Sequence, residues 1–176
     1  RCEVTVFRDS QRHSIAFEGG ELKQKLKSER IKEKRTGTVV RLWPDPKYFD
    51  SPAIPMNELE HLVRSKAYLL PGLTMALEVE GKQTRLWKYE RGMAQYFEFM
   101  LQGRELVAPL FTGERFFVDT PIPDIEPGEG AAWAIGWVTE GEVFADSHVN
   151  LIPTRSGGTH EAGFGAGIYG ALPAFM

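Results

Sequence analysis

Apolar and polar positions alternate from the first residues of the chain. Cys2, Val4 and Val6 interleave with Glu3 and Thr5, and Ile15 and Phe17 resume the period beyond Asp9-Ser10. That period of two predicts an antiparallel hairpin with one buried face. A long charged connection is expected next, over residues 23–35. A β-rich run from Thr36 to Trp43 follows and stops at Pro44, with Pro46 and Pro52 beyond it. Met56, Leu59, Leu62, Val63, Ala67 and Leu70 then recur at three- and four-residue spacings, the mark of an amphipathic helix, which Pro71-Gly72 should end. Leu73, Met75, Leu77 and Val79 alternate as a strand, with residues 86–89 as its hairpin partner across Gly81-Lys82. Met93, Tyr96, Phe97, Met100 and Leu101 form a second helical stripe. Residues 115–119, 131–138 and 143–152 read as strands, and a glycine-rich stretch, 157–170, follows. The order β-β-β-α-β-β-α and then β-β-β predicts a mixed α/β layered fold with antiparallel pairs, not a doubly wound parallel sheet.

Composition sharpens this in three ways. With 176 residues, 42% hydrophobic and 26% charged, the chain can bury a core as one domain, or as one domain plus part of another. The single cysteine, Cys2, excludes a disulfide scaffold and a cysteine zinc site, and suits a reducing compartment. The opening Arg1-Cys2-Glu3-Val4 starts inside a strand without a leader or an initiator Met, so a piece of a longer protein is expected. Charge is uneven: residues 1–106 hold 19 Lys and Arg against 15 Asp and Glu, whereas residues 107–150 hold one basic and eight acidic residues. The shift near residues 103–109 marks a candidate domain boundary. Residues 23–35 carry seven Lys and Arg against two Glu and contain no aromatic residue; a solvated loop is expected there rather than a nucleic-acid patch.

Several familiar chemistries have no motif in the chain. It lacks a P-loop, a G-x-S-x-G elbow and an H-E-x-x-H helix. His13, His61, His148 and His160 have no ligand-like spacing. The Gly163-to-Gly167 run has neither the strand context nor the full spacing of a dinucleotide loop.

Two longer segments are specific. One is Arg35-Thr36-Gly37-Thr38-Val39-Val40-Arg41-Leu42-Trp43-Pro44-Asp45; the other runs from Val149-Asn150-Leu151-Ile152-Pro153-Thr154 through Gly157-Gly158-Thr159-His160 to Phe164. Together they resemble the ATPase subunits of bacterial type II topoisomerases, closer to the topoisomerase IV B subunit than to the gyrase B subunit. Tyr48-Phe49-Asp50-Ser51-Pro52, Leu70-Pro71-Gly72-Leu73 and Tyr89-Glu90-Arg91-Gly92 fall in the family's order, so the resemblance covers essentially the whole chain.

The resemblance implies that residues 1–105 are the C-terminal half of a GHKL-type (Bergerat) ATPase sandwich and that residues 106–176 open a transducer domain. It implies an ATP- and Mg²⁺-dependent enzyme that passes DNA through DNA, with a topoisomerase IV A subunit as partner in a heterotetramer and self-dimerisation on ATP binding. It also implies a cytoplasmic, nucleoid-associated location and no membrane. Thr38 matches a threonine that helps fix the adenine-reading aspartate and a water; Val40 matches a valine lining the adenine pocket, and Arg8 an arginine at its mouth. Gly157, Gly158, Thr159 and His160 match the transducer loop. The family's Mg²⁺ and general-base helix and its phosphate-reaching lysine match no residue of this chain. No catalytic or metal-binding residue is therefore expected within these 176 residues, and the chain alone should be inactive. From parity, Thr38, Val40 and Leu42 should share one covered strand face, with Arg8 at the rim of the Cys2-Val4-Val6 face. Relatives carry Arg where this chain has Gly165, followed by a charged helix; Gly165, Gly167, Gly170 and Pro173 should weaken that helix. A gyrase B subunit, introducing negative supercoils, is the alternative; a non-catalytic α/β interaction module is the alternative from another class.

Overall fold

The computed structural model describes residues 1–51, 53–119, 125–171 and 173; Pro52, part of the motif reading, lies outside the described residues. Among these the chain packs as two units, Arg1–Pro55 and Met56–Met176.

The first unit is an antiparallel sheet in the order β3-β2-β1-β4, with β1 at Cys2–Arg8, β2 at Gln11–Glu18, β3 at Glu21–Arg30 and β4 at Gly37–Leu42. The expected hairpin is β1–β2, in register from Cys2 opposite Phe17 to Arg8 opposite Gln11. Asp9 and Ser10 close it at φ of 52° and 56°, the left-handed pair that a two-residue turn needs to follow strand twist. Gly19 and Gly20, at 62° and 88°, make the same kind of turn into β3.

β3 is a correction: charge alone predicts a solvated connection over residues 23–35, and residues 21–30 of this region are strand. The strand has no apolar period since it is a sheet edge: Leu22 and Leu26 are exposed, and lysines line it. Lysine on an edge strand keeps water on the unpaired backbone and opposes pairing with another chain. Two register shifts against β2 break its alternation further.

Register divides the sheet into unlike faces. Residues opposite one another share a face, so Leu22-Phe17-Cys2-Leu42, Ile15-Val4-Val40 and Ser28-His13-Val6-Thr38 make rows on one side. Gln24-Ala16-Glu3-Arg41, Lys27-Ser14-Thr5-Val39 and Glu29-Arg12-Phe7-Gly37 make the rows on the other. The first face is largely aliphatic; the second is hydroxylic and charged.

The second unit contains α1 (Met56–Leu69), β5 (Met75–Leu77), β6 (Arg85–Trp87), α2 (Gly92–Met100), β7 (Phe111–Phe116), β8 (Gly130–Ile135), β9 (His148–Val149), β10 (Ile152–Pro153) and α3 (Thr159–Ala171). Both expected helices are present, and β5 pairs with β6 in register from Met75 opposite Trp87 to Leu77 opposite Arg85. The core is aromatic: Tyr68 of α1 stacks on Tyr96 of α2 with centroids 4.1 Å apart, and Tyr89 meets both rings edge-on. The buried face of α1 is therefore Ser65, Ala67 and Tyr68, while Leu62 and Leu70 of the expected stripe are exposed. Ser65 is satisfied locally, its hydroxyl donating to the Leu62 carbonyl at 2.8 Å. Gly92 is required where α2 begins: its φ is 56°, and a Cβ there would lie 3.0 Å from Pro71 and 3.1 Å from the Tyr68 carbonyl.

Three further expectations change. The 115–119 strand begins earlier, at Phe111. Residues 143–152 hold only the short β9–β10 pair around Asn150 and Leu151, whose φ values are 48° and 70°. The glycine-rich tail is helical through Gly163, Gly165, Gly167 and Gly170, yet no residue of α3 is buried. Summed glycine cost of ~1 kcal/mol each would be prohibitive for an isolated peptide; here Phe164 of α3 packs 6.0 Å from the Trp133 ring of β8.

Candidate functional site

The residues singled out by sequence fall into two groups, one in each unit. On the sheet, Thr38 and Val40 do share a face with Leu42, and β4 sets Thr38 beside Val6 and Val40 beside Val4. The face is not covered, however. β4 is the other edge strand, Thr38 is exposed, and Val40 and Leu42 are 55% and 68% exposed. The result is an open aliphatic strip, Val4-Val40 and Cys2-Leu42, with the Thr38 hydroxyl at one end. Such a strip suits a flat, weakly polar ring at its centre and a hydrogen-bonded edge at the hydroxyl. Arg8 extends this side to the β1 terminus, where it is exposed and pairs with Asp9 at 3.4 Å.

In the second unit, Gly157, Gly158, Thr159 and His160 join β10 to α3. Gly157 has a φ of 73°, and the Gly158 carbonyl accepts from the Glu161 and Ala162 amides at 3.1 and 3.2 Å, opening the helix. The loop is tied by hydroxyls. Thr154 Oγ1 donates to Ser147 Oγ at 2.8 Å, Ser147 Oγ lies 2.6 Å from His160 Nε2, and the Thr154 amide donates to the Ser147 carbonyl at 2.8 Å. Arg155 reaches Glu58 of α1 at 2.7 Å, and Lys66 of α1 donates to the Leu151 carbonyl. The hairpin and loop are thus fastened to α1 by charge, by hydrogen bonds and by the buried His148 ring, which meets the Tyr68 ring edge-on at 6.0 Å.

Asp146 is the node of this fastening, and sequence reasoning assigns it no role. Its carboxylate accepts from the buried Tyr68 hydroxyl, and it lies 3.3 Å from His61 Nε2 and 3.8 Å from His148 Nδ1. Burial and this hydrogen bond push the Tyr68 phenol well above its ordinary range, and burial likewise raises Tyr96. Burial lowers His148 despite the opposing pull of Asp146. No local signal could reveal the node, because positions 61, 68, 146 and 148 meet only through the fold. Among the described residues no group of three His, Cys, Asp or Glu could hold a metal ion.

Comparison with known proteins agrees with the fold. Residues 92–176 match the family model described as DNA gyrase B. The B subunit of DNA topoisomerase 4 from Escherichia coli (strain K12) is 38% identical over 178 residues, which cover 99% of this chain and 27% of the relative. Its counterpart from Pseudomonas aeruginosa is 35% identical over 179 residues, with the same coverage of 99% and 27%. Among solved structures, the topoisomerase IV ATP-binding domain of Francisella tularensis, in complex with a small-molecule inhibitor, is 31% identical with a TM-score of 0.67, covering 99% of this chain and 45% of that one. The 43K ATPase domain of Thermus thermophilus gyrase B, in complex with an aminocoumarin, is 25% identical with a TM-score of 0.70, covering 93% and 43%. The chain spans about a quarter of the length of the curated relatives it matches.

Proposed function

Because residues 92–176 match the DNA gyrase B family and the whole chain is similar to topoisomerase IV B subunits, we propose that it forms part of the ATP-binding subunit of a type IIA topoisomerase of the topoisomerase IV kind. In this reading residues 1–105 complete one wall of a GHKL-type nucleotide site and residues 106–176 open the transducer. ATP binding clamps two subunits around DNA, an A subunit cleaves and reseals it, and the complex relaxes and decatenates duplexes at the nucleoid.

The observation that carries the reading is the strip on β4 and β1. The described residues fit the base end of a nucleotide: Val40 and Val4 offer an apolar wall, and Thr38 offers a hydroxyl that can both donate and accept at its edge. Arg8 stands on the same side, where its guanidinium can meet an anionic or carbonyl group at the mouth. No cluster of carboxylates converges among the described residues, so they do not fit Mg²⁺. ATP supplies the free energy of the cycle when bound; this chain's residues position its base and exclude water from one side of the ring. The Gly157-to-His160 loop, held by Ser147, Thr154 and Arg155, is the segment through which the transducer half would register that occupancy.

The test is nucleotide affinity in the complete subunit that carries this sequence. Thr38→Ala should weaken a non-hydrolysable ATP analogue ten- to a hundred-fold, the loss of about 1–3 kcal/mol for a hydrogen bond that the bound base itself shields from water, with the fold intact because the free hydroxyl is exposed. Equal affinities in mutant and parent would leave Thr38 a plain strand residue and remove the site assignment.

A further inference from the structure

We propose that the polar face of the four-stranded sheet, opposite the strip carrying Thr38 and Val40, binds the phosphate backbone of duplex DNA. The inference rests on the topoisomerase reading, which supplies DNA as the occupant; the surface itself is independent of the nucleotide site because register places it on the other side of the sheet.

Three features of this face converge. The first is shape. A bay of about 480 Å³ opens over β1 and β2, ringed by Arg1, Arg12, Lys23, Arg35 and Arg41. Gly37, which stands in the Phe7 row without a side chain, leaves one end of it unobstructed, since a Cβ there would meet nothing within 4 Å.

The second is charge. Glu3 is bonded by Arg1, and Glu29 is bonded by Arg12 and by Lys27 at 2.6 Å, which hold the Glu29 carboxyl below its usual range. Lys23 is likewise paired, with Glu18 at 3.4 Å, so these carboxylates are neutralised within the sheet, while Arg35 and Arg41 have no ion-pair partner among the described residues. Arg35 instead lies over the Phe7 ring, 4.2 Å from its centroid. A guanidinium stacked in this way keeps its in-plane N–H donors free for a phosphate. Thr5, Ser14 and Gln24 add neutral donors between the cations, with Gln24 Nε2 donating to Ser14 Oγ at 3.3 Å.

The third is extent. Four strands about 4.8 Å apart carry cations from Arg41 on one edge to the lysines of β3 on the other, roughly 14 Å across; residues 23–27 add about 13 Å along the strand. That area is too broad for one phosphate group and spans several along a duplex. Residues 107–150, by contrast, carry eight acidic residues and one basic residue and offer a phosphate backbone no comparable surface.

Fluorescence anisotropy of the 176-residue chain with a labelled 20-base-pair duplex, across a salt series, tests the proposal. Each phosphate contact contributes about −0.9 to the slope of log affinity against log salt. Arg35→Gln and Arg41→Gln should each make that slope shallower by about 0.9, whereas Lys82→Gln, a matched loss of charge in the second unit, should leave it unchanged. Circular dichroism confirms that each variant folds. Unchanged slopes for both arginine variants, or an equal loss for the Lys82 variant, would overturn the proposal. Inorganic tripolyphosphate competing as well as duplex at equal phosphate concentration would overturn duplex as the occupant. Failure here with a Thr38 effect on ATP intact would refute the DNA face alone; loss of the Thr38 effect with these slopes as expected would refute the nucleotide-site reading alone.

Discussion

Tyr68→Phe isolates one hydrogen bond in the second unit. The substitution keeps the ring that stacks on Tyr96 at 4.1 Å and removes only the hydroxyl that donates to Asp146. Tyr68 is 3% exposed, so the bond forms out of water, and a hydrogen bond to a charged acceptor contributes about 1.5–3 kcal/mol. Asp146 retains His61 at 3.3 Å and is itself 14% exposed, so its carboxylate is not stranded. The expected loss therefore lies at the lower end, about 1.5–2 kcal/mol, or roughly 3–8 °C in Tm for a chain of this size. The phenol also sets a pH dependence. Its pKa is raised on folding, so above the ordinary tyrosine value near 10 the unfolded chain ionises while the native one stays protonated. The native state then binds more protons, and stability falls as pH rises, by about 1.4 kcal/mol per unit for each such group. Tyr68→Phe should remove one group's share of that alkaline slope and leave the share due to Tyr96. Urea denaturation followed by near-ultraviolet circular dichroism, at pH 7.5 and above pH 10, measures both effects. A stability change under 0.5 kcal/mol at neutral pH, or an unchanged alkaline slope, would refute the role assigned to the Tyr68–Asp146 bond.

Other outcomes follow from the same geometry. His148 is lowered by burial, so the unfolded chain takes up its proton first as pH falls; stability should drop through the ordinary histidine range near 6.5, and His148→Phe should flatten that drop in urea titrations. Gly92→Ala meets a φ of 56° together with Pro71 and the Tyr68 carbonyl, and should cost at least 1–2 kcal/mol in thermal unfolding, whereas Gly163→Ala, in open helix, should gain up to about 1 kcal/mol. The 176-residue chain by itself should give no calorimetric heat with a non-hydrolysable ATP analogue and Mg²⁺; micromolar affinity would contradict the assignment of its residues to one wall only.

The elements legible in the sequence are those in which one periodicity acts alone. Cys2-Val4-Val6 with Ile15 and Phe17 discloses the hairpin, and the apolar spacings of 56–70 and 93–101 disclose α1 and α2. β3 is not legible, because an edge strand with two polar faces and two register shifts carries no alternation to read. α3 runs against its own propensities, since glycine content argues for a loop and tertiary contact at Phe164 is invisible in one dimension. The face shared by Thr38 and Val40 can be read from parity; its openness cannot, because cover depends on what packs against an edge strand. The Asp146 node requires the fold itself, which brings residues 61 and 68 of α1 to residue 146.

If this sequence belongs to an ATP-driven strand-passing subunit with Val40 against the base, as proposed, DNA passage must depend on both ATP and Val40. Decatenation of interlinked DNA circles by the complete subunit, reconstituted with the A subunit proposed as its partner, measures that dependence. Activity should require ATP, stop after one passage with a non-hydrolysable analogue, and fall at least a hundred-fold for Val40→Arg, which fills the apolar strip with charge. Decatenation that proceeds without ATP, or that Val40→Arg leaves unchanged, would rule that placement out.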